Sequence, residues 1–181
     1  AGTASIRSIQ PAEKPATNRM PAPPRATLED RLSSVRVQLA AKLGGGVVDP
    51  GLQTNVGKGT TVSEAVLAHG ANIVQNTGVT GAGVKVCVIS DGVSTIAART
   101  AAGELPVVQI LGTGQASTSG DEGTAMLELV ADMAPGASLG FSTGNGGKPQ
   151  MAQNILDLRN VMGCNIIVDD LTYFSEAAFQ E

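Results

Sequence analysis

Short apolar runs alternate with longer segments of helical periodicity along most of this chain. The clearest run is G-A-G-V-K-V-C-V-I-S-D-G-V at residues 81–93, where β-branched residues precede a polar turn. A short continuous run of this kind predicts a strand that is buried on both faces, as in a parallel sheet. Further runs predict strands at residues 105–111, 138–142 and 165–168.

Helical spacing of apolar residues predicts the segments between and before these strands. The predicted helices cover residues 62–73, 96–102, 125–133 and 149–162, and the core face of the last one consists of Met151, Ile155, Leu158 and Met162. Strand and helix alternate, and the helices are long enough to form crossover connections. The sequence therefore predicts an α/β fold with a mostly parallel sheet and helices on both faces.

The first 46 residues have a different pattern. Residues 1–26 contain five prolines among scattered Ser and Thr, which predicts a disordered tail. Thr27 is a helix N-cap type, and residues 27–46 predict one amphipathic helix that ends at a run of glycines. This helix either docks on the main domain or belongs to a prosegment. Residues 47–181 are predicted to form the N-terminal part of the α/β domain.

Composition narrows the class of protein. The chain has 181 residues, 42% hydrophobic and 15% charged, which is typical of a globular domain with a real core. Aromatic residues make up only 2%, so the core is built from small aliphatic side chains, which suits α/β layers better than a sandwich or barrel. A net charge of −4 without a basic stripe argues against nucleic acid as a partner. No apolar run approaches the ~18 residues of a membrane span.

Cys87 and Cys164 both fall in or beside predicted buried strands. We expect them to be free apolar residues rather than a disulfide. They do not identify the cellular compartment. His69 is the only histidine, and its place on the apolar stripe of residues 62–73 predicts a packed or rim residue instead of a catalytic base.

Acidic side chains follow two predicted strands, Asp91 after the first and Asp169 with Asp170 after the last. Asp121 and Glu122 stand at the start of a predicted helix. The carboxyl ends of parallel strands meet at one edge of a sheet, where ligands usually bind. Converging carboxylates can hold a hard cation or act together as general base and orienting acid. They are also common as caps of helices and turns.

Three segments resemble motifs of the subtilisin-like serine peptidases, in the same order. V-K-V-C-V-I-S-D-G-V is similar to the strand that carries their catalytic Asp. G-D-E-G-T-A-M-L-E-L-V-A-D-M-A-P-G-A-S-L is similar to their second motif, which usually starts G-H-G-T. C-N-I-I-V-D-D-L-T-Y-F is similar to the strand that lines their substrate cleft. The resemblance covers residues 84–173.

The resemblance implies a role for each motif. Asp91 is the orienting acid, and Glu122 takes the place of the base histidine, as in the related sedolisins, which use a glutamate base. Asp169, Asp170, Leu171 and Thr172 line the cleft and bind substrate. The chain departs from sedolisins at Met126, where a partner Asp would stand, so we expect Asp91 and Glu122 to hold a proton jointly.

The nucleophile of this family lies in G-T-S-x-x-x-P, which does not occur in the chain. We therefore expect the serine and the oxyanion-hole residue beyond Glu181, and no peptide cleavage by this part alone. The predicted protein is the N-terminal part of a secreted or extracytoplasmic serine endopeptidase. Its expected partners are a polypeptide substrate and the C-terminal part of the domain. No cofactor and no catalytic metal are expected, and the sequence does not decide whether a structural calcium is bound. The alternatives are a non-catalytic module that binds peptide or a cation at the same edge and, more weakly, a phosphate-handling domain that uses Asp91 and Mg²⁺.

Overall fold

A computed structural model describes residues 14–17, 59, 61–112 and 120–175. The amphipathic helix predicted for residues 27–46 lies outside the described residues. The elements in chain order are β1 (Ala16–Thr17), α1 (Glu64–Ala68), α2 (Ala71–Asn76), β2 (Lys85–Ser90), α3 (Ile96–Ala101), β3 (Val108–Ile110), α4 (Glu122–Met133), β4 (Ser138–Thr143), α5 (Lys148–Asn160), β5 (Ile166–Asp169) and β6 (Leu171–Thr172).

Four of the strands form one parallel sheet in the order β3-β4-β2-β5. The predicted α/β class with a mostly parallel sheet is confirmed. Strand β2 lies between β4 and β5, and its last five residues are buried, as its unbroken apolar run predicts. Because the strands are parallel, β2, β4 and β5 end at the same edge. We call this edge the carboxyl rim; it comprises residues 90–91, 143–145 and 169–170.

Alternate residues of β2 face two different cores. Val86 and Val88 pack in one cluster with Leu127 of α4. Cys87 and Ile89 pack in the other cluster with Leu158 of α5. This follows from the two-residue period of a strand, and it places α4 and α5 on opposite faces of the sheet.

Two predicted elements are shorter than expected. The helix predicted over residues 62–73 is divided into α1 and α2, because the chain turns at His69 and Gly70, and Gly70 has a left-handed φ of 70° that suits glycine. His69 ends α1, and its side chain is exposed. Strand β3 is only three residues long. Pro106 has no N–H to donate to a ladder, and Leu105 turns into the core.

The core face of α5 also differs from the prediction. Ile155 is 39% exposed, whereas Asn154 is 1% exposed. The Asn154 amide donates a hydrogen bond of 2.8 Å to the Thr143 carbonyl, the last of β4. A buried polar group is therefore paired with a backbone acceptor at the end of β4, a match that apolar periodicity does not reveal.

The prediction of free thiols is wrong, because Cys87 and Cys164 form a disulfide between Cα atoms 5.9 Å apart. Both cysteines are completely buried. Strand β5 pairs with β2 although the two are far apart in the chain, so the turn between α5 and β5 carries Cys164 to the side chain of Cys87. The spacing of the two cysteines along the chain does not reveal that β5 pairs with β2 and brings them together.

Part of the segment predicted to be a disordered tail forms a strand. Ala16 and Thr17 pair antiparallel with Thr172 and Leu171 of β6. The remaining residues of the predicted tail, apart from Lys14 and Pro15, lie outside the described part of the chain.

Replacing both cysteines by alanine should lower the free energy of unfolding by about 2–5 kcal/mol, because the disulfide closes a loop and restricts the unfolded chain. The bond spans 77 residues of sequence. Urea unfolding followed by circular dichroism measures the change, and the wild-type chain with its disulfide reduced is the matched control. If the denatured, unreduced wild-type chain titrates as two free thiols, the disulfide assignment is wrong.

Candidate active site at the carboxyl rim

Asp91 directly follows the central strand β2. Its Oδ1 accepts a hydrogen bond of 2.6 Å from the Gly92 amide and one of 3.0 Å from the Glu122 amide. The first bond closes a local turn. The second bond joins the end of β2 to the first residue of α4, and a carboxylate is favoured there because helix N-termini carry unpaired N–H groups.

The backbone of Asp91 is held as firmly as its side chain. Its carbonyl accepts hydrogen bonds from Thr143 Oγ1 at 3.0 Å and from Asn145 Nδ2 at 2.6 Å. Both donors belong to the end of β4 and the turn after it. The carboxyl ends of β2 and β4 are thereby connected by side chains as well as by the sheet.

Gly120 brings the chain close over Asp91 just before α4 begins. Its φ is 98°, and a Cβ added there would lie 2.2 Å from Asp91 Oδ2. Any larger residue would push the Asp91 carboxylate out of its position. Glycine is therefore required both by the backbone conformation and by this close approach.

Asp121, the neighbour of Glu122, connects two parts of the backbone through its hydrogen bonds. Its carboxylate accepts hydrogen bonds from the Thr95 amide at 2.9 Å, the Thr95 hydroxyl at 2.7 Å and the Thr124 hydroxyl at 2.7 Å. Burial raises the pKa of Asp121, but the hydrogen bonds from Thr95, Thr124 and Ser94 outweigh it, so that the pKa is lowered. Asp121 stays ionised and fixes the turn before α3 to the start of α4.

Glu122 and Asp170 form a pair of neighbouring carboxyl groups. Asp170 follows β5, and its Oδ1 accepts a hydrogen bond of 3.2 Å from Ser90 Oγ at the end of β2. Burial raises the pKa of Asp170, and the negative charge of Glu122 raises it further, together with a hydrogen bond between the two side chains. The hydrogen bond from Ser90 acts in the opposite direction.

Two adjacent carboxyl groups are stable when they share one proton, because two negative charges in contact repel each other. Burial, the charge of Glu122 and the hydrogen bond with Glu122 raise the pKa of Asp170, which favours the protonated form of Asp170 beside Glu122. A raised folded-state pKa means that the contribution of Asp170 to stability is fully present in acid and is lost as the pH rises through that pKa.

The sequence predicted a proton held jointly by Asp91 and Glu122. The structure brings these two residues together through the Glu122 amide, and it brings the Asp170 carboxyl to the Glu122 side chain. Among the other predicted cleft residues, Asp169 ends β5 and is exposed, whereas Leu171 and Thr172 form β6 and are half-buried.

Sequence reasoning missed the polar residues that support this rim, Ser90, Thr143 and Asn145. Their position could have identified them, since each stands at or just after the end of a predicted apolar strand, where polar side chains meet at the sheet edge. Among the described residues, no group of three or more His, Cys, Asp or Glu side chains is arranged to hold a metal ion. None of the helices in this part of the chain has the length and hydropathy of a membrane span.

No protein-family model matches the chain. No curated protein sequence matches it either.

Replacing Glu122 by Gln should lower the pKa of Asp170, because the substitution removes the negative charge that opposes ionisation of Asp170. Carbon-13 NMR titration of the Asp carboxyl groups measures this pKa. The matched control is Glu64→Gln at the exposed first residue of α1, which should leave Asp170 unchanged. An Asp170 titration that is identical in wild type and Glu122→Gln would show that the two carboxyl groups do not interact.

Proposed function

We propose that this chain supplies the acidic residues of a serine endopeptidase site of the subtilisin-like type, with Glu122 as the general base. The nucleophilic serine and the oxyanion-hole residue would come from residues beyond Glu181. The observation that carries the proposal is the arrangement of Glu122, which begins a helix at the carboxyl rim, is fixed by Asp91 through its amide, and lies beside a second carboxyl group.

In this mechanism the Glu122 carboxylate accepts the proton of the serine hydroxyl as the serine oxygen attacks the scissile carbonyl. The same carboxyl group later gives the proton to the leaving amine, while the acyl group remains on the serine until water releases it. Neutral Asp170 donates a hydrogen bond that orients Glu122. Asp91 is a positioning residue, since it holds the first turn of α4 through the Glu122 amide.

This site should work best in acidic solution. A glutamate ordinarily loses its proton near a pH of about 4.3 and a histidine near about 6.5, so a carboxylate base stays ionised where an imidazole base is protonated. As the pH rises through the raised pKa of Asp170, that residue loses its proton and repels Glu122. The rate should therefore fall on the alkaline side.

The peptide substrate is proposed to pair with β6, which directly follows Asp170. Pairing of an extended peptide with an exposed strand edge uses main-chain hydrogen bonds and tolerates many side chains. This strand already pairs with an extended segment, β1. The buried disulfide supports the proposal of a secreted or extracytoplasmic protein, because disulfides persist in oxidising compartments.

A second candidate function is peptide binding without catalysis. Ser90 and Ser142, two serines at or next to the carboxyl rim, are completely buried and cannot reach a substrate. Together with the β1–β6 pair, this observation favours a module that binds an extended peptide at the same edge. Both candidates need the strand edge of β6, and only the first needs the carboxyl pair.

The Glu122→Gln substitution in the protein extended beyond Glu181 tests the first candidate. It should lower kcat/KM for a denatured protein substrate by about 10²–10⁴-fold, because an amide cannot accept the proton of the serine. The wild-type rate should be highest in acid and fall as the pH rises through the raised pKa of Asp170. Glu64→Gln is the matched control and should keep the wild-type rate.

Unchanged cleavage by Glu122→Gln, or a wild-type rate that rises only above neutrality, contradicts the proposed base. Absence of cleavage by the extended wild-type protein, combined with binding of an extended peptide, supports the second candidate.

A further inference from the structure

The turn between β4 and α5 contains Asn145 followed directly by Gly146. Asparagine is a thermolabile side chain, and it loses its amide most readily before glycine, because glycine has no Cβ to keep its nitrogen away from the neighbouring side chain. Every other asparagine of the chain precedes a larger residue. The sequence therefore concentrates this reactivity in one turn, which lies at the carboxyl rim.

The backbone of this turn leaves the reaction open. Gly146 is exposed, and its amide donates no hydrogen bond to any residue of the described part of the chain. Water can therefore reach the Gly146 nitrogen and take its proton. Asn145 is half-buried, and its side chain reaches from this exposed turn to the end of β2.

The side-chain amide of Asn145 also holds the rim together. Its Nδ2 donates a hydrogen bond of 2.6 Å to the Asp91 carbonyl, and the Asn145 backbone amide donates one of 3.2 Å to Thr143 Oγ1. Thr143 Oγ1 donates in turn to the same Asp91 carbonyl. A carboxylate at position 145 has no proton to donate, and it would place a negative oxygen against the Asp91 carbonyl oxygen.

We propose that Asn145 is a modification site, at which spontaneous deamidation converts the amide that holds Asp91 into a carboxylate and loosens the carboxyl rim. The inference does not rest on the proposed peptidase function, because the reaction and its effect on the rim need no substrate and no residue beyond Glu181. Its consequence is that the intact rim has a limited lifetime, which is set by the chain itself.

The reaction needs water and no other partner. The deprotonated Gly146 nitrogen attacks Asn145 Cγ and forms a five-membered imide ring, and the Cγ–Nδ2 bond breaks so that Nδ2 takes up a proton and leaves as ammonia. Water then adds to one of the two ring carbonyls and breaks the bond from that carbonyl to nitrogen. Opening at Cγ gives aspartate, and opening at the backbone carbonyl gives isoaspartate. No atom is oxidised or reduced.

The hydrogen bonds of Asn145 control the rate of this reaction. Asn145 Cγ has to turn towards the Gly146 nitrogen, so the bond from Nδ2 to the Asp91 carbonyl must open first. A single hydrogen bond has a small net free energy in water, and the open state is therefore populated enough for a slow reaction. The folded chain should react measurably, but more slowly than the chain unfolded in urea.

Peptide mapping by mass spectrometry tests the site in the intact chain. After incubation at mildly alkaline pH, the peptide that contains Asn145 should gain the mass that replacement of NH₂ by OH adds, and an isoaspartyl methyltransferase should label it. Asn165 is exposed and precedes Ile166, so it is the internal control and should keep its amide. The proposal is overturned if Asn145 keeps its amide in the folded chain, or if Asn165 reacts at the same rate.

A pair of variants tests whether the contacts of Asn145 set the rate. Thr143→Ala removes the hydroxyl that joins the Asn145 amide to the Asp91 carbonyl, and deamidation of Asn145 should become about 5-fold faster, the factor that matches the net value of one hydrogen bond. Thr77→Ala is the matched control, because the Thr77 hydroxyl donates to the carbonyl of Val74, away from the rim. Equal rates in the two variants would mean that these contacts do not hold Asn145, which overturns the proposal.

Asn145→Asp reproduces the product and measures its effect on the fold. The unfolding equilibrium constant of this variant should exceed that of wild type by ~10-fold, because a hydrogen bond is lost and two oxygens are brought together. Asn145→Ala loses the bond without adding a charge and should lie between the two. Urea unfolding followed by circular dichroism measures all three chains, and deamidated wild type, separated by ion exchange, should match Asn145→Asp. An Asn145→Asp chain as stable as wild type overturns the proposal.

Discussion

The hydrogen bond from the Glu122 amide to the Asp91 carboxylate connects the end of the central strand to the beginning of α4. The rest of the rim depends on this bond, because it fixes where α4 begins and therefore where the side chain of its first residue, Glu122, is placed. Gly120 allows the approach, and Thr143 and Asn145 hold the Asp91 carbonyl from the other side. Asp91 thereby acts on Glu122 through the backbone. The side chain of Glu122 remains available for a second carboxyl group.

That second group is Asp170, and its surroundings explain how two acids can lie together. Burial and the charge of Glu122 both raise the pKa of Asp170, which favours its protonated form next to Glu122. Groups with a perturbed pKa are concentrated at functional sites, because catalytic acids and bases need pKa values matched to their task. Asp121, one residue before Glu122, is the contrasting case, since hydrogen bonds keep it ionised and its role is structural.

Strand β6, which directly follows Asp170, adds a strand pair beside the rim. Strand β6 is anchored through Tyr173 to the turn after β4, and it pairs with an extended segment from the N-terminal region. The pair of carboxyl groups and the paired strand β6 therefore lie within a few residues of the end of β5. The disulfide supports the same arrangement, because it ties the turn before β5 to the central strand.

The sequence by itself determined the central strands, the longer helices and the edge at which the parallel strands end. The apolar run before Asp91 specified a buried parallel strand, and helical spacing placed α4 and α5, because periodicity is a local property of the chain. It could not determine which strands are neighbours, and everything that depends on neighbours was decided by tertiary structure. The Cys87–Cys164 bond, the burial of Asn154 in place of Ile155, the contact of Asp170 with Glu122 and the pairing of Ala16 with Thr172 all join positions whose proximity follows from the strand order and the packing of helices on it.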